Sequence, residues 1–148
     1  MNLSEFMKEE LIFLNVHVKD KEDLFKHIVD SMAEYRLIEE PASFLEELMQ
    51  RENKASTFIG RGIALPHTRT LYVESPIIAF ARLDNPISFS QNPQDAVRLV
   101  FLMGTPKSDP NTYLKILADL CAQLRDNDFR DQLMNVEERK QVLRMLAN

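Results

Sequence analysis

The chain has 148 residues, of which 45% are hydrophobic and 28% charged, and this is typical of one globular domain with a single core. Its formal net charge of −5 argues against a general nucleic-acid binder, because its basic residues are scattered among acids rather than clustered to meet a phosphate backbone. A single cysteine excludes an internal disulfide, and residues 1–14 lack the basic start of a secretion signal. No apolar run approaches the ~18 residues of a membrane span. We therefore expect a cytoplasmic protein without direct membrane insertion.

A strand and a helix are predicted at the start of the chain. The apolar run at residues 11–16 predicts the strand, and Asp20 offers an N-cap for the helix. His17 lies at the end of the strand and His27 beside the apolar stripe of the helix, and a structural role is predicted for both. The stripe is defined by apolar side chains at helical spacing: Leu24, Phe25, Ile28, Val29 and Met32.

A second helix is predicted from Pro41, which is permitted in a first helical turn, to about residues 51–52. Acidic pairs at residues 39–40 and 46–47 suggest a general acid and base, but adjacent helix residues point in different directions. A solvated helix face is the better interpretation of both pairs. The opposite, apolar face is formed by Phe44, Leu45, Leu48 and Met49.

Three further strands are predicted in the middle of the chain. Residues 76–83 form an almost continuously apolar run, and residues 96–103 form the longest strand candidate. Between them, Asn85 and Pro86 predict a turn, and residues 87–89 alternate like a short edge strand. The connections are too short for helices, so consecutive strands cannot all be parallel, and a mixed sheet is predicted.

The last third of the chain is predicted to be helical. Asp109 and Pro110 form a capped helix start with proline at its first position, and residues 128–134 and 136–146 follow as two more helical segments. Cys121 falls on the apolar face of the first of these helices and is predicted to be a core residue rather than a nucleophile. Strands and helices interleaved in this order predict an α/β sandwich, with one domain over residues 1–148 and helices on the faces of the sheet.

Two of the three glycines lie close to one of the three histidines. Gly60 and Gly62 permit a tight turn, and Pro66 fixes its own φ and favours an extended residue before it. His67 is therefore predicted to begin a loop at the end of a strand. An imidazole there could act as a nucleophile, a general base or a metal ligand, and a lone loop histidine is also often a plain surface residue.

Several other site types are excluded by residue type and spacing. A dinucleotide-binding fingerprint would need a third glycine where this chain has Leu65, and a helix where it has Pro66. The phosphate-binding loop with Gly-Lys-Ser/Thr and the Gly-x-Ser-x-Gly elbow are both missing. The histidines and the cysteine show no zinc-ligand spacing, so neither a metal nor another cofactor is expected, although the sequence leaves carboxylate-based metal binding open.

The remaining candidate chemistry combines His67 with the arginines Arg51, Arg61 and Arg69. With an ordinary pKa of about 6.5, an imidazole is substantially neutral at cytoplasmic pH and keeps a lone pair that can attack phosphorus. Guanidinium groups hold phosphoryl oxygens in a two-pronged geometry. The set therefore suits transient phosphorylation of a histidine.

An ordered motif connects these residues. Gln50-Arg51-Glu52, followed by Ser56-Thr57-x-x-Gly60-x-Gly62-Ile63-Ala64-Leu65-Pro66-His67, resembles the signature of the mannitol/fructose-type enzyme IIA domain of the bacterial sugar phosphotransferase system. The resemblance extends through nearly the whole chain and implies an α/β sandwich with a mixed sheet.

The resemblance also implies roles for individual residues. His67 would accept a phosphoryl group from the phosphocarrier protein HPr and pass it to a IIB protein, with Arg51 close to the phosphorylation site. Thr57, Gly60 and Gly62 would shape the pocket. The surface around His67 is expected to be shallow, partly apolar and shared by both partners, and Arg61 and Arg69 are expected to be exposed or to contact a partner.

One position departs from the family pattern. Many relatives carry a second histidine near the start of the helix that here follows Asp109-Pro110, and Tyr113 is the best positional match in this chain. Its hydroxyl can donate a hydrogen bond to phosphate or imidazole but cannot be positively charged. The alternative is an aromatic side chain that packs on the adjacent strand.

Three functions are compatible with the resemblance. The leading hypothesis is a IIA component that serves sugar uptake through IIB and, indirectly, a membrane IIC permease. The second is a nitrogen-type regulatory IIA protein, in which phosphorylation of His67 switches protein–protein interactions. The third is a degenerate IIA-like domain that binds a partner without being phosphorylated.

Overall fold

The computed structural model describes residues 1–147, with strands and helices interleaved along the chain. A short 3-10 turn, Leu3–Phe6, precedes the first strand. The helices are α1 (Lys21–Glu34), α2 (Pro41–Lys54), α3 (Pro110–Leu124), α4 (Asn127–Asn135) and α5 (Arg139–Met145). The strands are β1 (Met7–Val16), β2 (Phe58–Gly60), β3 (Ile63–Ala64), β4 (His67–Thr70), β5 (Ile77–Ser88) and β6 (Ala96–Pro106).

The strands form one mixed, six-stranded sheet in the order β1-β5-β6-β3-β2, with β4 paired to β6. β5 and β6 are antiparallel, whereas β1 runs parallel to β5, and both β3 and β4 run parallel to β6. The short connection between β5 and β6 accounts for their antiparallel pairing, since a parallel pair needs a crossover. The predicted mixed sheet is therefore confirmed.

Two apolar clusters, one on each face of the sheet, form the core. The first cluster packs α1 and α2 against one face, where Phe25 and Phe44 are fully buried. The second packs α3, α4 and α5 against the other face, where Phe80 and Phe101 on adjacent strands have ring centroids 4.9 Å apart. Side chains of β5 alternate between the two clusters, as expected of a strand covered on both faces. The predicted α/β sandwich is confirmed.

The predicted helix caps are present at two helices. Asp20 accepts a hydrogen bond from the Asp23 N–H at 2.8 Å, and Asp109 accepts one from the Thr112 N–H at 3.1 Å. Each carboxylate satisfies one of the N–H groups that have no partner within a helix. No helix within residues 1–147 is long and apolar enough to cross a membrane.

The predicted turn at Asn85 and Pro86 is wrong. Both residues lie inside β5, and the ladder to β6 resumes beyond them, where Ile87 pairs with Val97. The register shifts between Arg82 and Ile87, and such a bulge tolerates a proline because no ladder hydrogen bond needs its missing N–H. The predicted short strand at residues 87–89 is not a separate strand, since residues 87 and 88 are the end of β5. They pair with β6, beyond Leu83, the last residue of β5 that pairs with β1.

The predicted helix at residues 136–146 is shorter in the structure, where α5 begins only at Arg139. The buried guanidinium of Arg82 explains the interruption after α4. Its Nη1 donates to the carbonyls of Leu133 at 3.0 Å and Val136 at 2.5 Å, and its Nε donates to the Leu14 carbonyl at 3.0 Å. One side chain of β5 therefore anchors both β1 and the end of α4.

Candidate functional site

The glycine-containing segment is the turn that joins β2 to β3. Gly60, Arg61 and Gly62 have φ values of 93°, 56° and 76°, all in the left-handed region that favours glycine. A Cβ added at Gly60 would meet nothing within 4 Å, so backbone conformation rather than space explains glycine there. The Gly62 carbonyl accepts the N–H groups of Arg98 and Leu99 at 2.9 and 3.0 Å, and these bonds attach the turn to β6.

His67 is the first residue of β4 and not the start of a loop, so the predicted loop is wrong. It pairs with Met103 of the parallel strand β6, and the Met103 N–H donates to the Pro66 carbonyl at 2.9 Å. A proline is compatible with this strand start because its carbonyl is used in the ladder and no N–H is required. The neighbouring sheet holds the histidine in place, and His67 is only 9% exposed.

The two ring nitrogens of His67 have different partners. Nδ1 lies 2.6 Å from the Leu65 carbonyl oxygen, and Nε2 lies 3.1 Å from the Tyr113 hydroxyl. Because a carbonyl only accepts hydrogen bonds, this contact assigns the ring proton to Nδ1. In the neutral ring the lone pair is then on Nε2, where the Tyr113 hydroxyl donates to it.

The surroundings of His67 favour its neutral form. Burial is the main cause of a lowered pKa, and the positive charge of Arg51 lowers the pKa further. The hydrogen bond to Leu65 and the negative charge of Glu52 oppose this shift without reversing it. At neutral pH the imidazole is therefore uncharged and retains the lone pair on Nε2.

Arg51 lies in the last turn of α2, where its Nη1 donates to the Ala55 carbonyl at 2.9 Å. It acts on His67 through its charge. The preceding turns of α2 are packed in the first core cluster through Phe44 and Leu48, and this packing fixes the position of the helix end. The charge of this guanidinium therefore reaches the imidazole from the end of a packed helix.

A buried carboxylate, whose role we did not predict from the sequence, supports the segment between Arg51 and His67. Glu52 is 2% exposed and accepts hydrogen bonds from the N–H and the hydroxyl of Thr57, at 2.9 and 2.6 Å. The Lys21 ammonium lies 3.8 Å from the same carboxylate. In the sequence, the only indication of this contact is that Glu52 directly follows Arg51 in the motif, which implies a role for the arginine alone.

Thr57 connects this carboxylate to the histidine through the backbone. Its carbonyl accepts the Leu65 N–H at 3.1 Å, and the Leu65 carbonyl in turn holds Nδ1 of His67. The Thr57 hydroxyl is occupied by Glu52. In this structure Thr57 therefore positions the strand that precedes His67 and has no free hydroxyl proton for a ligand.

The two ends of α3 meet different parts of the motif. Tyr113 in its first turn contacts His67, whereas its last turns, with Cys121 and Leu124, line a cavity of about 300 Å³ beside Gly60. At 1.5 Å per helical residue these ends are roughly 16 Å apart. The structure thus brings Tyr113 to His67, and it places the Gly60–Gly62 turn at the other end of α3.

The two remaining arginines are both exposed, in agreement with expectation. Arg69 lies over the Tyr113 ring, 5.9 Å from its centroid, and donates to the Lys107 carbonyl at 3.1 Å. Arg61 donates to the Arg125 carbonyl at 3.3 Å, near the end of α3. Arg69 therefore borders the histidine site through the tyrosine, and Arg61 does not.

Two large apolar side chains are exposed on the elements that carry the site. Leu114 directly follows Tyr113 in α3 and is 60% exposed, whereas Leu71 directly follows β4 and is 73% exposed, roughly 13 Å along the strand from His67. Within residues 1–147, no group of three or more His, Cys, Asp or Glu side chains is arranged to hold a metal ion. The site is thus a single imidazole with a phenol at Nε2 and the charge of a guanidinium acting on it.

A histidine held at the start of β4, with Nδ1 bound to the backbone and Nε2 facing a tyrosine, characterises this protein as an α/β sandwich with a histidine-centred site. The chain belongs to the family described as "Phosphoenolpyruvate-dependent sugar phosphotransferase system, EIIA 2", which matches residues 5–148. The family predicted from the motif is therefore confirmed.

Relatives in this family have different roles. The chain is 30% identical to the "PTS system fructose-specific EIIA component" of Haloferax volcanii, over 99% of this chain and 95% of the relative. It is 32% identical to the "Nitrogen regulatory protein" of Bradyrhizobium diazoefficiens, again over 99% and 95%. The "PTS system fructose-specific EIIABC component" of Bacillus subtilis is 29% identical over 97% of this chain, which spans only 22% of that protein.

Solved structures agree with the fold. The nitrogen regulatory protein IIA-Ntr of Neisseria meningitidis superposes with a TM-score of 0.89 and 28% identity, covering 97% of this chain and 98% of that one. Enzyme IIA for mannitol from Escherichia coli, solved in complex with phosphorylated enzyme IIB, has a TM-score of 0.80 and 22% identity, over 95% and 98% of the two chains. The second likeness concerns the fold alone.

Proposed function

We propose that the chain is a IIA phosphotransfer protein that accepts a phosphoryl group from phospho-HPr on His67 and passes it to a IIB protein during sugar uptake. The observation that carries this proposal is the contact between Nδ1 of His67 and the Leu65 carbonyl at 2.6 Å. It leaves Nε2 with the lone pair, in a ring whose pKa is lowered mainly by burial. The imidazole is therefore a neutral, oriented nucleophile at the pH of the cytoplasm, the proposed location of the protein.

The transfer is an in-line displacement at phosphorus. The bond between phosphorus and the donor imidazole of HPr breaks while a bond from phosphorus to Nε2 of His67 forms, and the electron pair returns to the donor ring. The proton stays on Nδ1, so positive charge builds up on the His67 ring. The Leu65 carbonyl stabilises that charge through its hydrogen bond, which is the same contact that raises the pKa of His67.

Arg51 is the residue proposed to bind the phosphoryl oxygens. Its guanidinium supplies charge and paired donors on the side of the site formed by the end of α2. Tyr113 contributes a hydroxyl donor, and Thr57 supports the strand before His67 through the Glu52 contact. Gly60 and Gly62 are proposed to act on the pocket through the shape of the hairpin.

Phospho-HPr is the proposed donor and a IIB protein the proposed acceptor, with a membrane IIC permease served indirectly. The complex of an E. coli mannitol IIA with phosphorylated IIB supports the choice of acceptor. Exposed Leu114, which follows Tyr113 in α3, provides apolar area for docking, and we propose that successive partners share it because both must reach the same imidazole.

A nitrogen-type regulatory role is the second candidate. It is favoured by the 32% identity to the Bradyrhizobium nitrogen regulatory protein and by the TM-score of 0.89 with the Neisseria IIA-Ntr. The chemistry at His67 is the same, but the phosphoryl group switches a binding surface and is not passed to IIB. Transfer from the phosphorylated chain to IIB proteins encoded by neighbouring genes distinguishes the two roles.

The test is to incubate the chain with HPr, enzyme I and labelled phosphoenolpyruvate. An acid-labile label is expected on the wild type and on His17→Ala, whose side chain is 75% exposed at the end of β1, but not on His67→Ala. A label that survives in His67→Ala contradicts the site assignment. Failure to label the wild type while HPr is labelled contradicts both phosphorylation roles and leaves a binding domain that is not phosphorylated.

A further inference from the structure

Both nitrogens of the His67 ring are occupied in the unphosphorylated protein. Nδ1 is bound to the Leu65 carbonyl, and the lone pair of Nε2 accepts the hydroxyl proton of Tyr113 across 3.1 Å. Attack on phosphorus uses that lone pair, along the axis on which the hydroxyl hydrogen lies. One lone pair cannot serve both, so the bond between Tyr113 and His67 must break before phosphorus reaches Nε2.

The position of the phenol is set by groups other than the histidine. Arg69 lies 5.9 Å from the ring centroid and is itself fixed by its bond to the Lys107 carbonyl. The first turn of α3, which carries Tyr113, is capped by Asp109 through the Thr112 N–H at 3.1 Å. The ring therefore stays beside the site when its hydroxyl moves off the lone-pair axis of Nε2. Once the phosphoryl group is bound to Nε2, the hydroxyl there meets its oxygens, which are strong acceptors.

From this geometry, and resting on the proposed function, we propose that Tyr113 gates the nucleophile: its hydroxyl caps Nε2 before transfer and donates to a phosphoryl oxygen after transfer. The cap slows loading, because one hydrogen bond is lost before the phosphorus–nitrogen bond forms. The second bond lengthens the life of the phosphohistidine, because it stabilises the product. The phenolic proton remains on Tyr113 throughout, and the atoms exchanged are those of the displacement already described.

The test compares wild type with Tyr113→Phe, and with Tyr35→Phe as a matched control whose hydroxyl is removed from a side chain 50% exposed after α1. The single-turnover rate of labelling by saturating phospho-HPr is expected to rise about 2- to 10-fold in Tyr113→Phe, the range of one neutral hydrogen bond. The half-life of the isolated phosphoprotein is expected to fall by a similar, roughly 2- to 10-fold factor. Tyr35→Phe is expected to match the wild type in both.

A second measurement detects the hydrogen bond between the Tyr113 hydroxyl and Nε2 of His67 without any phosphorylation. In unphosphorylated protein with labelled histidine, the nitrogen resonance of His67 Nε2 is expected to move downfield in Tyr113→Phe, towards that of a free lone pair, and to stay unchanged in Tyr35→Phe. An unchanged resonance, or a loading rate in Tyr113→Phe equal to or below that of the wild type, overturns the gate. A wild type that HPr does not label overturns the proposed function as well, so the two failures are distinguishable.

Discussion

The buried carboxylate of Glu52 offers the sharpest test of how the site is held together. In Glu52→Ala, the N–H and hydroxyl of Thr57 lose acceptors that lie 2.9 and 2.6 Å away, and both groups belong to a residue that is 6% exposed. The N–H cannot rotate towards another partner. A charge-assisted hydrogen bond contributes about 1.5–3 kcal/mol and an unsatisfied buried donor costs about 1–3 kcal/mol, so we expect a loss of about 3 kcal/mol in the free energy of unfolding.

The assay is urea unfolding followed by circular dichroism, with Glu46→Ala as the control. Glu46 is an exposed carboxylate on the same helix, so its removal tests helix and charge effects without the Thr57 contacts. With a slope of about 2 kcal/mol per molar urea, the Glu52→Ala midpoint should fall by about 1.5 M, and the Glu46→Ala midpoint should move by less than about 0.3 M. Equal midpoints for the two variants would refute the role assigned to Glu52.

Two further predictions concern His67 and Gly104. The pKa of His67 in the folded protein is lowered from its ordinary value of 6.5, so on acidification the unfolded chain binds the proton first. The free energy of unfolding should therefore fall as pH drops below 6.5, with a slope of at most about 1.4 kcal/mol per pH unit. This slope should be smaller in His67→Gln, and identical pH profiles for the two proteins would contradict the lowered pKa. Gly104→Ala should cost about 1–3 kcal/mol, because the added Cβ would lie 2.9 Å from the Phe44 ring. A Gly104→Ala protein as stable as wild type in thermal unfolding would exclude this close contact.

The sequence correctly predicts the elements whose pattern lies within one continuous stretch of the chain. The helix stripes, the caps at Asp20 and Asp109, and the apolar runs of β5 and β6 each depend on residues within a few positions of one another. The mixed sheet followed from a connection too short for a crossover. The motif from Arg51 to His67 identified the family because its order, and not any single residue, is specific.

The elements that the sequence predicts wrongly depend on contacts between residues far apart in the chain. Strands β3 and β4 are only 2 and 4 residues long and show no alternation, so the sequence predicts a loop at His67. Pro86 predicts a turn by its residue type, whereas the bulge that accommodates it is defined by pairing with β6. The interruption between α4 and α5 depends on Arg82, which is 51 and 54 positions away from the two carbonyls it binds there.

The site shows the same division between local and distant signals. The motif predicted His67 and Arg51, but the buried contact between Glu52 and Thr57 and the direct contact between Tyr113 and Nε2 appear only when the chain is folded. Tyr113 is separated from His67 by 46 positions, so the sequence alone left its position open between the site and the adjacent strand. Folding brings it within hydrogen-bond distance of the nitrogen proposed to react.

The most direct test of the proposed mechanism is to find which nitrogen of His67 carries the phosphoryl group. The Leu65 carbonyl holds the proton on Nδ1, so the account predicts phosphorylation at Nε2 alone. The measurement is the nitrogen and phosphorus NMR spectrum of protein with labelled histidine, phosphorylated by HPr, in which phosphorus couples to one ring nitrogen. Coupling to Nε2 of His67 is the predicted result, and coupling to Nδ1, or to another histidine, would contradict it.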